Sequence, residues 1–128
     1  MNGNVLVIDD ERDMCTLIER VLCKKGLGVK SSTNPMDAVE LIKSENFILL
    51  IVDLRMPEMD GIEFIKRARQ AGFRNKCIVI TAYPSIDALK EAGKQGVSDI
   101  LIKPLNILEL EDAVARAINI SENKEVMG

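Results

Sequence analysis

The chain has 128 residues, 47% hydrophobic and 29% charged, which is enough apolar material for one ordinary domain core and too little length for two. That balance excludes a disordered chain, and a net charge of −3 gives no general attraction for nucleic acid or anionic lipid. No apolar run approaches the roughly 18–20 residues that cross a bilayer, and Asp9, Asp10 and Glu11 interrupt any segment resembling a signal peptide.

Asn4 to Ile8 reads as a short apolar strand. From Glu11 to Lys25, Met14, Ile18, Val21 and Leu22 recur at helical spacing, with acidic residues first and lysines last, as the helix dipole favours. Gly26 and Gly28 punctuate the chain, and Val29 to Ser32 makes a brief strand. Asn34, Pro35 and Asp37 form an N-cap, a first-position proline and an acidic first turn. The helix they open runs through Glu45 with Val39 and Ile42 inward. Phe47 to Val52 is continuously apolar, which suits a central strand covered on both faces. After the turn MPEMDG, a helix carries Ile62, Ile65 and Ala68 or Arg69 and stops at Gly72. Cys77 to Ile80 is a fourth strand, and Ile86, Leu89 and Lys90 belong to a fourth helix closed near Gly93 or Gly96. Asp99 to Ile102 is a fifth strand. Asn106 and Glu109 make a capping-box variant, and the last helix then shows Ile107, Leu110, Val114 and Ala117 on one face. Residues from Ser121 onward are mostly polar and expected to fray, which sets a domain over 1–121 and a polar tail or start of a linker over 122–128. Cys15, Cys23 and Cys77 form an odd set without a CxxC. On one helix Cys15 and Cys23 stand about 12 Å apart, beyond disulfide reach, so buried or incidental thiols in a reducing cytosol are expected.

Strands alternating with helices imply right-handed crossovers and a parallel sheet between helical layers. In such α/β sheets the ligand site lies beyond the carboxyl ends of the strands, where the strand order reverses. Each of VLVIDD, IVDLRMP, IVITAY and ILIKP is an apolar run stopped by a polar residue, and these stops place Asp9, Asp10, Asp53, Thr81 and Lys103 near those ends. Carboxylates gathered there need a cation, and an all-oxygen cluster suits a small hard ion such as Mg²⁺. Asp10 and Asp53 are the natural direct ligands, with Asp9 binding directly or through water. Lys103 and Thr81 could hold the oxygens of a phosphoryl group centred on Asp53, the nucleophile. Taken alone, each of these residues has a plain structural explanation as a cap or boundary signal; their joint occurrence at four strand ends does not.

The motifs VIDDE, VDLRMPEMDG, VITAY and LIKP, in this order and spacing, resemble the receiver domain of bacterial two-component response regulators over residues 4 to 120. The resemblance implies a doubly wound five-stranded parallel sheet of order 2-1-3-4-5 flanked by five helices, the flavodoxin-like receiver fold. It implies Mg²⁺-dependent phosphoryl transfer to Asp53, with Mn²⁺ as a substitute ion, from a sensor histidine kinase or histidine phosphotransfer protein. Carried over, Asp9 and Asp10 are the acidic pair, Asp53 the phosphoacceptor, Thr81 the switch hydroxyl and Lys103 the active-site lysine. The carbonyl of Arg55 becomes a metal ligand. The chain is then a phosphoacceptor signalling domain, cytoplasmic, without direct nucleic acid or membrane contact.

One position departs from the family pattern. Where it commonly has an aromatic residue on strand five, this chain has Ile100, smaller and stiff at χ1, so an aromatic readout is expected to be absent or altered, with Tyr83 contributing in its place. The surface of helix four, strand five and helix five is still expected to change on phosphorylation and is the candidate for homodimer contact. Arg55 and Tyr83 flank the path of an attacking water and neither is an obvious general base, so slow to moderate self-hydrolysis is expected. The start at Met1 favours an amino-terminal receiver, with an output domain beyond Gly128 or a partner protein as the alternatives for output. A phosphate-ester hydrolase fits less well, since the chain has no His and short loops. A flavodoxin-like electron carrier fits less well still, since aromatic residues are only 3% of the chain.

Overall fold

The computed structural model describes the backbone of residues 3–127 and the side chains of residues 3–118. Met1, Asn2 and Gly128, on which the expectations of an amino-terminal receiver and a following output domain rest, lie outside the described residues. In chain order the elements are β1 (Asn4–Ile8), α1 (Arg12–Cys23), β2 (Gly28–Ser32), α2 (Pro35–Ser44), β3 (Leu49–Asp53), α3 (Gly61–Gln70), β4 (Lys76–Thr81), α4 (Ile86–Lys94), β5 (Val97–Ile102) and α5 (Ile107–Met127). They form one five-stranded sheet of order β2-β1-β3-β4-β5, parallel at every pairing. The doubly wound fold is the one expected.

The apolar runs of β1, β3 and β4 are continuous because both faces of these strands are covered. Val5, Val7, Leu49, Ile51, Ile78 and Ile80 face α1 and α5, meeting Ile18, Leu22, Leu110 and Val114. Leu6, Ile8, Leu50, Val52 and Val79 face α2 and α3, meeting Val39, Ile42, Phe64 and Ile65. Each such aliphatic side chain, once fully buried, contributes about 1.5–3 kcal/mol, so these central strands are the most firmly held part of the molecule. Caps fix where helices begin: Asn34 Oδ1 accepts from Met36 N–H at 2.8 Å, Asp60 Oδ1 from Glu63 N–H at 2.8 Å, and Asn106 Oδ1 from Glu109 N–H at 3.0 Å.

Some details differ from the sequence expectations. The third strand begins at Leu49 and ends at Asp53, because Phe47 offers its carbonyl to Asn75 Nδ2 at 2.8 Å instead of to a neighbouring strand. Asp53 is therefore itself a strand residue, anchored by the sheet. Helix α4 does close near Gly96 as expected, ending at Lys94 with Gln95 as its C-cap and Gly96 at φ 75° turning the chain. Ile107, expected inward, is 44% exposed; it has the spacing of Leu110 and Val114 but sits in the first turn of α5, where periodicity alone does not supply a covering neighbour. The expected fraying from Ser121 is not seen in the backbone, which stays helical to Met127; neither Gly nor Pro occurs in that stretch before Gly128.

Candidate functional site

Four strand ends supply the site, beside the point where the sheet order reverses between β1 and β3. Asp9 follows β1, held by its N–H donating to Ser32 O at 3.2 Å. Asp53 closes β3. Thr81 closes β4, and its carbonyl accepts from Lys103 N–H at 2.8 Å, which fixes the lysine just past β5. The Lys103–Pro104 bond is cis. Gly61 makes the return from β3 possible: a Cβ there would lie 2.5 Å from Asp53 O, and its N–H donates to Leu54 O at 2.8 Å. No other residue type fits so close to the backbone of the strand end.

Asp9, Asp53 and Thr81 are buried, exposed by 1%, 4% and 0%, while Asp10 stands at the surface. Lys103 Nζ lies 3.3 Å from Asp53 Oδ2, 3.3 Å from Asp9 Oδ2 and 3.6 Å from Glu11 Oε1. Asp53 Oδ1 accepts from Arg55 N–H at 3.1 Å, and Asp9 Oδ1 from Glu11 N–H at 2.9 Å. One ammonium thus faces more negative charge than it neutralises. Burial pushes the Asp53 carboxyl up to about 6, a rise that the Arg55 N–H and Lys103 oppose and the Asp9 charge reinforces. Burial likewise raises Asp9, against its bond from Glu11 N–H and the pull of Lys103. For Lys103, burial works to lower its affinity for a proton, but Asp9 and Asp53 outweigh it and hold the ammonium charged above its ordinary range.

Carboxylate oxygens of Asp9, Asp10 and Asp53 all lie within 4.8 Å of one another. Asp9 Oδ2 is buried without a hydrogen bond; its approach to Lys103 is a charge contact that lacks hydrogen-bond geometry. A buried carboxylate oxygen left in this state, in an all-oxygen cluster, is what a divalent hard cation would satisfy. The donor set therefore fits a divalent metal.

The structure brings Asp9, Asp10, Asp53 and Lys103 together as expected. Thr81 reaches the same end of the sheet, but its Oγ1 accepts from Tyr83 N–H at 3.1 Å. Arg55 meets Asp53 through its N–H, and its guanidinium lies over the Tyr83 ring, 4.8 Å from the centroid. Sequence reasoning missed Glu11 as a partner of Lys103; its place directly after the acidic pair was the available signal. The Arg55–Tyr83 stack joins two loops and has no signature in spacing.

A family model described as "Response regulator receiver domain" matches residues 5–115. The chain is 36% identical over 115 residues to the transcriptional regulatory protein ZraR of Klebsiella oxytoca, covering 90% of this chain and 26% of that protein. It is 30% identical over 123 residues to sporulation initiation phosphotransferase F of Bacillus subtilis, covering 96% of this chain and 99% of that one. The chain thus spans about a quarter of one relative and nearly all of the other. Among solved structures, the beryllofluoride-activated NtrC4 receiver domain dimer superposes with a TM-score of 0.83 at 28% identity, over 89% of this chain and 94% of that one. The Francisella response regulator 1452 receiver domain does so at 0.85 and 28%, over 94% and 99%. With this agreement of fold, acidic cluster and relatives, the chain belongs to the response regulator receiver domain family, and its acidic cluster is a phosphoacceptor pocket of the receiver type.

Proposed function

We propose that Asp53 accepts a phosphoryl group from a phosphohistidine of a sensor histidine kinase or histidine phosphotransfer protein. The observation that carries this reading is the Asp53 carboxylate, buried at the end of a central strand, with Lys103 at 3.3 Å and the acidic oxygens of Asp9 and Asp10 within 4.8 Å. A carboxylate oxygen of Asp53 attacks phosphorus, the P–N bond breaks, and its electron pair leaves on the imidazole. Lys103 meets the charge on the transferring oxygens, and the Thr81 hydroxyl, which accepts from Tyr83 N–H, keeps its own proton to donate. Asp9, Asp10, Asp53 and the Arg55 carbonyl would hold Mg²⁺, or Mn²⁺ in its place, which when bound neutralises the carboxylates and the phosphoryl oxygens. Arg55 and Tyr83 flank the acceptor and neither is a ready general base at neutral pH, so self-hydrolysis is slow to moderate.

The domain signals rather than turning over substrate: phosphorylation adds about −1.5 to −2 charges, and the output is the surface of α4, β5 and α5. Ile86, Leu89, Ile102 and Leu108 on or beside these elements are exposed, which supports partner or homodimer contact there. An output domain beyond Gly128 or a separate partner would read it, with the receiver unit ending near residue 121. No described helix is long and apolar enough to cross a membrane. We place the domain in the cytoplasm, where phosphohistidine donors are made, and assign it no direct nucleic acid contact. Incubation with Mg²⁺ and phosphoramidate, a small P–N donor, tests the transfer. Intact mass should increase by one phosphoryl group in the wild type and not in Asp53→Ala or without Mg²⁺; equal uptake in all three would overturn the reading.

A further inference from the structure

Residue 83 is tied twice to the phosphoacceptor end of the sheet. Its ring lies under the Arg55 guanidinium, 4.8 Å from Cζ to centroid, and its N–H donates to Thr81 Oγ1 at 3.1 Å. Both ties end on groups beside Asp53, because Arg55 gives its own N–H to Asp53 Oδ1 at 3.1 Å and Thr81 closes the adjoining strand. The ring itself is 66% exposed, so it is not held by burial.

A guanidinium on the face of an exposed ring is weakly attached. A guanidinium that meets phosphoryl oxygens gains short, charge-assisted bonds in a fork that matches them. The same new charge recruits the Thr81 hydroxyl. Thr81 donates its own proton to that charge and can still accept from Tyr83 N–H, so the event competes for Arg55, the group that holds the ring. We propose that the Arg55–Tyr83 stack is a latch on the loop between β4 and α4, and that phosphorylation of Asp53 opens it by drawing Arg55 onto the phosphoryl oxygens. The proposal rests on Asp53 being the acceptor.

The loop leads straight into α4. Ser85 caps that helix, its Oγ accepting from Ala88 N–H at 3.1 Å, and Ala92 is the only residue of α4 that is buried. The far end is pinned, since Arg69 Nη2 donates to Gln95 O at 3.3 Å. Release of the Tyr83 ring loosens the amino-terminal end of α4 and leaves the carboxyl-terminal end as its pivot. Between α3 and α4 runs a groove of about 670 Å³ lined by Leu54, Ile62, Tyr83, Pro84 and Ala88, whose shape changes as α4 swings. The latch supplies an aromatic response in a chain whose fifth strand carries Ile100 and no ring.

Tyr83 is the sole tyrosine, and the chain has no tryptophan, so the ring carbon–proton correlation of labelled tyrosine reports this residue alone. It is recorded with Mg²⁺ alone and with Mg²⁺ plus beryllium fluoride, while fluorine resonances of bound beryllium fluoride report occupancy of the acceptor. With the site occupied, the wild-type ring resonance should move to the position that Arg55→Ala shows without ligand. In Arg55→Ala the ligand should move it far less, and Arg55→Lys should restore part of the wild-type response. A bound-fluoride signal with an unmoved wild-type ring, or with an equal shift in Arg55→Ala, would overturn the latch and leave the acceptor reading standing. Failure of the site to bind beryllium fluoride would overturn both.

Discussion

Asp53 is a carboxyl group set where burial disfavours its charge, and this has a measurable sign. Its value rises from the ordinary 3.8 to about 6 in the folded chain, so folding favours its protonated form. The stability this contributes is fully present below the ordinary value and is lost as pH rises through about 6. A shift of this size corresponds to roughly 2–3 kcal/mol. In metal-free buffer, the unfolding free energy of Asp53→Asn should therefore exceed that of the wild type at neutral pH by about this amount, with the gap closing near pH 4. Denaturant melts at the two pH values check it, and parallel pH dependence of the two proteins would contradict it. Added Mg²⁺ should narrow the gap at neutral pH by stabilising the wild type. The residues of this site were legible because each terminates an apolar run. Glu11 was overlooked although it directly follows the acidic pair, and the Arg55–Tyr83 contact was not legible, because a meeting of side chains from separate loops depends on loop geometry that hydrophobic periodicity does not encode.

At the scale of elements, α4 differs from its neighbours. Helices α1, α2, α3 and α5 bury apolar faces against the sheet, whereas in α4 only Ala92 is buried, and Ile86 and Leu89 are 72% and 38% exposed. Its position depends on polar ties, above all Arg69, which donates to Phe73 O at 3.2 Å, to Asn75 O at 2.7 Å and to Gln95 O at 3.3 Å and lies over the Phe73 ring. Arg69→Ala should destabilise the chain by about 1–3 kcal/mol and speed amide exchange at the carboxyl-terminal end of α4 and in β5. Unchanged exchange there would show that α4 is held in another way. Strands and caps were plain in the sequence, since continuous β-branched runs and Asn34-Pro35 each admit few local structures. The exposure of α4 and of Ile107 was not, because helical spacing names a face without saying whether anything covers it.

For the whole molecule, the acceptor site and the proposed output surface are joined through Thr81 and Lys103 at the ends of β4 and β5. Amide chemical shifts on phosphorylation should therefore change along α4, β5 and α5 as well as around Asp53; changes confined to the Asp53 loops would contradict the proposed output face. The order of the strands was accessible only through the resemblance, since alternation of strand and helix predicts a parallel sheet but several windings satisfy it. The central claim is that Asp53 carries the phosphoryl group. Borohydride reduces an acyl phosphate to an alcohol, so treatment of the chain after phosphoramidate and Mg²⁺ should convert Asp53, and no other acidic residue, to homoserine in the peptide mass map. Reduction at Asp9 or Asp10 instead, or an unmodified Asp53 in a chain that has gained phosphoryl mass, would contradict the account.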